Sequence, residues 1–175
     1  MQLEEVNQRS DMVAHLLSDL STSGDRNKAL LSLRQIKNQI IGNKAKKTCF
    51  VKAGAVPLVV ALLHQQLQLL RQPRGDEEEA SRITEALTQS AAALGSFACG
   101  NPIGLGQVIQ SGGLEGLATT LSHSEDRRVN EAGMRALKLV YAQQVWLASL
   151  PPQIGFGLSG RQCCLCESLH GRIDE

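Results

Sequence analysis

Ile41-Gly42-Asn43, followed eleven residues later by Gly54-Ala55-Val56, returns downstream as Cys99-Gly100-Asn101 followed by Gly112-Gly113-Leu114. Each residue of the second set stands 58 positions after its partner, with no gap between the two glycine marks. A helical unit that repeats at a fixed offset implies stacking, because a short helical hairpin covers its own apolar face only against a neighbour. Proteins of this kind commonly bind other proteins and perform no chemistry.

Outward from these marks the chain reads as helices. Leu30, Leu33, Ile36 and Ile40 recur every three or four positions between Asp25 and Ile41, the spacing of one helix face. Asp25 is the expected N-cap, and Gly42-Asn43 the left-handed stop. A short helix is expected over 44–52, ended by Gly54, and a Pro-led helix over 57–69. The same order recurs as a long helix over 80–99, a short one ending at Ser111 and another over 114–121. A third long helix, 127–141, matches the second at an offset of 43, with Leu137 over Leu94 and Val140 over Phe97.

Armadillo-type units run about 40–47 residues. The step of 43 fits, and the step of 58 exceeds it by a stretch between Gln65 and Glu79. That stretch reads as a helix overrunning its usual end and then a solvent-exposed acidic loop over 72–79. Asp11 to Leu20, with Val13, Leu16 and Leu17, reads as the close of an N-terminal cap. The expected fold is therefore all-α: an armadillo-repeat, right-handed α-solenoid of about two and a half units occupying 1–142. After Tyr141 the pattern fails, and 143–175 is expected to be an irregular tail. A stack needs either another unit or a polar cap at that point, so the chain is read as a truncated or alternatively spliced product of a longer protein.

Composition agrees with closely packed helices. Aromatic residues are only 3% of the 175 residues, so the interior must be built from Leu, Ile, Val and Ala. The formal net charge of +1 gives no field that would gather nucleic acid or a membrane surface. Met1-Gln2-Leu3-Glu4-Glu5 lacks the basic and apolar regions of a secretory signal, and the longest apolar run, 53–63, is interrupted by Pro57. Cytoplasm and nucleus are the expected locations. Five cysteines without a leader argue against a disulfide framework.

Two segments carry a family resemblance. Lys37-Asn38-Gln39-Ile40-Ile41-Gly42-Asn43 with Ala53-Gly54-Ala55-Val56-Pro57 resembles the N-terminal repeats of the armadillo repeat-containing protein 8 family. Gln89-Ser90-Ala91-Ala92-Ala93-Leu94-Gly95-Ser96-Phe97-Ala98-Cys99-Gly100 is similar to its plant members in particular. The likeness spans roughly 11–142 and includes exposed positions as well as buried ones. It implies a non-catalytic subunit of a GID/CTLH-type ubiquitin ligase complex, acting in proteasome-dependent degradation, with other protein subunits as partners. The family's later repeats, which hold a substrate receptor, have no counterpart in this sequence.

Candidate contact residues follow from groove positions. Asn38, five residues before Asn43, stands where peptide-binding armadillo proteins carry an amide that clamps an extended backbone. Arg34 occupies the position one turn earlier, where nuclear-import carriers need Trp. Arg34, Asn38, Ser96, Arg135 and Lys138 are the candidate partner-binding residues, set against an ordinary solvated helix face. The alternative function is a carrier or signalling adaptor that holds a linear peptide. Lys44, Lys46, Lys47 and Lys52 form a basic patch read as solvated. Cys163, Cys164, Cys166 and His170 are a weak zinc candidate, since structural zinc joins two separated ligand pairs. His15, His64, His123 and His170 stand apart from any nucleophile or acid at motif spacing. The expectation is no enzyme activity, no cofactor, no small-molecule substrate, no nucleic acid and no membrane.

Overall fold

The computed structural model describes the backbone of residues 2–21, 25–72 and 76–148, and side chains over 11–21, 25–72 and 76–143. Among the described residues there are eight α-helices and no strand: α1 (Gln2–Ser21), α2 (Arg26–Ile40), α3 (Lys44–Lys52), α4 (Ala55–Leu70), α5 (Glu77–Ala98), α6 (Pro102–Gln110), α7 (Gly113–His123) and α8 (Arg127–Ala148). The chain is all-α, as its apolar spacing requires.

The helix ends are set by local chemistry that recurs at the 58-residue offset. Asp25 caps α2, its carboxylate accepting from Lys28 N at 3.0 Å. Gly42 and Gly100 follow α2 and α5 with φ of 71° and 66°, a left-handed turn that a Cβ would oppose. Asn43 and Asn101 then cap α3 and α6, accepting from Lys46 N at 2.9 Å and Gly104 N at 3.2 Å. The next pair of glycines, Gly54 and Gly112, turn the same way, with φ of 83° and 78°. Two sequence-distant segments thus fold into the same turns.

Three boundaries differ from the sequence expectation. Glu77, Glu78 and Glu79 belong to the first turn of α5 rather than to an acidic loop, because Asp76 accepts from Glu79 N at 2.7 Å and three carboxylates favour a helix N-terminus. α4 starts at Ala55, so Pro57 sits inside the first turn, where its missing N–H still leaves no bond unmade. α8 runs to Ala148, past the boundary expected at 142. The remaining tail lies outside the described residues.

Each helix packs on the one three places further along the chain: α1 on α4, α2 on α5, α3 on α6, α4 on α7 and α5 on α8. Between these rows, α1 packs on α2, α4 on α5 and α7 on α8. One continuous apolar cluster runs through all of them, from Val13 to Val140, with Phe50 and Phe97 as its aromatic members. Glycine lets the helices approach closely. A Cβ on Gly95 would lie 2.9 Å from Ala136 Cα, and one on Gly104 would lie 2.3 Å from the Phe97 carbonyl oxygen. Among the described residues no single helix is long and apolar enough to cross a membrane. The bent pair α3–α4, at 77°, passes that test of length and composition only as a pair, and its Val51, Val56, Val59 and Leu63 are fully buried in the core.

Candidate functional site

The five candidate contact residues lie on three helices packed side by side, α2, α5 and α8. Arg34 is half-buried on α2 and is held by an ion pair to Glu85 of α5. Asn38, one turn on, is exposed, as are Arg135 and Lys138 on α8, while Ser96 on α5 is half-buried. No hydrogen bond or ion pair links any two of the five. They are separate positions on three neighbouring helices rather than a reactive cluster.

A second ion pair, Arg26 to Glu79 at 2.5 Å, joins the starts of α2 and α5. Both pairs are well hydrated, so each contributes at most about 1 kcal/mol and serves to set orientation. One turn beyond Glu85, Gln89 of α5 has its side-chain oxygen buried without a partner. These partners on α5 escaped the sequence reading because they lie about fifty residues away; acidic residues on the facing helix were the available signal.

The basic patch is smaller than the sequence suggested. Lys44 and Lys52 are exposed and Lys46 is half-buried, but Lys47 is only 9% exposed. Its ammonium donates to the Cys99 carbonyl at 2.6 Å, at the end of α5. A cation there meets the negative end of the helix dipole. Burial nevertheless disfavours the charge and pulls the Lys47 pKa below its ordinary value. At the matching position in the next unit, Leu105 is buried as a plain apolar side chain.

A charged cluster ties α1 to α2. The buried Asp19 accepts from Lys28 Nζ at 2.7 Å and from Ser32 Oγ at 3.3 Å, with His15 Nδ1 at 3.3 Å. The Lys28 bond, above all, holds the Asp19 carboxyl below the usual carboxylate range. The same bond raises Lys28. His15 keeps most of its side chain in solvent, at the rim of the helix.

His64 rests near Gly112 and Gly116, and His123 Nδ1 faces the Thr119 carbonyl at 2.9 Å. The clefts between α1, α2, α4 and α5 have Leu and Ala walls with charged rims at Arg26, Glu79 and Arg82. Among the described residues no group of three or more His, Cys, Asp or Glu could hold a metal ion. The zinc candidates Cys163, Cys164, Cys166 and His170 lie outside the described residues.

No family model matches the chain. No curated protein matches it either.

Proposed function

We propose that the chain is an armadillo-type, right-handed α-solenoid segment acting as a non-catalytic scaffold for protein assembly. The observation that carries this reading is the contact order of the helices, each packed on the one three places later, with identical glycine turns and asparagine caps recurring at the 58-residue offset. That order is what a pile of three-helix units produces. Repetition of this sort builds an extended surface, and such surfaces recognise other proteins.

The setting we infer is a GID/CTLH-type ubiquitin ligase complex in the cytoplasm and nucleus, contributing to proteasome-dependent degradation. The resemblance of residues 37–57 and 89–100 to the armadillo repeat-containing protein 8 family supports it. Partners are other protein subunits, with ubiquitin transfer supplied elsewhere in the assembly. Affinity purification of the tagged chain after mild lysis tests the setting. The expected result is recovery of ligase subunits, and recovery of none of them contradicts it. A peptide-carrier role is the second reading. Arg34 weighs against it, because it stands where import carriers need a stacking Trp. Substituting Arg34 and Asn38 together should abolish peptide capture by a carrier and leave subunit recovery by a scaffold unchanged.

A further inference from the structure

The stripe of α5 formed by Ala91, Gly95 and Ala98 is buried, and a Cβ on Gly95 would lie 2.9 Å from Ala136 Cα of α8. At the 43-residue offset the matching stripe of α8 is Met134, Lys138 and Tyr141. These lie one turn apart on a single flank, since about 100° separates successive residues. Among the described residues nothing covers the stripe. Met134 is 61% exposed and Tyr141 56%, both high for large apolar side chains. The flank also has a surplus of positive charge. Arg127 is paired with Glu131 and Arg128 with Asp126, which among the described residues leaves Lys138 and Arg135 without an anion.

We propose that this flank of α8 is a docking site for a helix of a partner protein that carries carboxylates opposite Lys138 and Arg135. The occupant is a helix because the equivalent stripe on α5 is itself covered by one. It sits further out than α8 sits from α5, because Met, Lys and Tyr replace Ala, Gly and Ala. Methionine and tyrosine suit such a seat, giving apolar area that adapts to the partner. Two copies of this chain paired symmetrically through the flank would set Lys138 against Lys138, and like charges at that distance oppose association. The inference rests on the stacked-unit reading for its α5–α8 correspondence and is independent of the ligase setting.

The test uses the full chain and two short helical peptides with the same leucine seam, one flanked by glutamates and the other by lysines. The methyl signal of Met134, one of three methionines, is assigned with Met134→Leu and followed by NMR. The glutamate peptide is expected to shift it saturably and to bind at least about fivefold tighter than the lysine peptide, as two exposed ion pairs allow. Lys138→Glu together with Arg135→Glu, both at exposed positions, is expected to reverse that preference while leaving the far-UV circular dichroism unchanged. Four results would overturn the proposal: no saturable shift, equal binding of both peptides, a Met134 shift that follows protein concentration alone, or a shift produced only by anionic lipid vesicles. Failure of the stacked-unit reading is detected separately, by hydrogen exchange on the chain without peptide.

Discussion

Replacing Gly95 with alanine should lower stability, although the same change in an open helix raises it. An interior glycine costs a helix about 1 kcal/mol relative to alanine, so propensity alone favours the substitution. The geometry opposes it. The new Cβ would stand 2.9 Å from Ala136 Cα, 3.2 Å from its Cβ and 3.3 Å from Leu139 Cδ1. The nearest of these is backbone, with no torsion that can swing it away, so α8 itself must move. Overpacking of this sort costs about 1–3 kcal/mol, and helices that must separate belong at the upper end. The net expectation is a loss of about 1–2 kcal/mol. For a chain of this length that lowers Tm by about 2–8 °C. Gly106 in α6 is the control, because a Cβ there meets nothing within 4 Å. Gly106→Ala should raise stability by about 0.5–1 kcal/mol. Thermal and urea unfolding followed at 222 nm reads both variants. If Gly95→Ala stabilises as Gly106→Ala does, α8 does not seat on α5 as described.

Other variants probe the caps and the buried charges. Asn43→Ala and Asn101→Ala should each cost about 1 kcal/mol, and the double variant about the sum, since the caps are separate; urea midpoints check this. The Asp19 carboxyl is held below its ordinary value, so its contribution is present above that value and is lost as pH falls through the depressed one. The native chain should therefore lose more stability than Asp19→Asn below about pH 4, read from Tm against pH. Lys47 has the opposite chemistry. Its depressed pKa means that the unfolded chain binds more protons between the folded and ordinary values, so stability rises with pH in that window. Relative to Lys47→Met, the native chain should gain stability as pH rises toward the ordinary lysine value of about 10, and a flat difference would contradict the buried cation.

Much of the architecture is legible because its signals are local. Asp25, Gly42-Asn43 and Gly100-Asn101 act on the few residues beside them, and the structure places caps and left-handed turns at those positions. The buried faces of α2 and α5 follow from spacing in the same way. Weighed as a charge run, Glu77-Glu78-Glu79 points to a loop at the start of α5. Asp76 followed by acids is equally the signature of a helix N-terminus, and that reading prevails. Lys47 was not legible. Its burial depends on where α3 meets the end of α5, a contact across 52 residues that a local pattern does not encode. The same holds for Arg34 and Glu85. The candidate groove residues were placed by repeat position, which locates them on a helix face without revealing which of them already have partners.

Native-state hydrogen exchange on Val140→Ala tests the stack most directly. Val140 is fully buried on α8, and its truncation should remove about 2 kcal/mol of local packing. If each unit is held only by its neighbours, the loss appears in the amides of α8, α7 and α5. Protection in α1, α2 and α3 then stays within about 0.5 kcal/mol of the native chain. An equal fall in every protected amide, from α1 to α8, would mean one indivisible globule and would contradict a pile of repeating units.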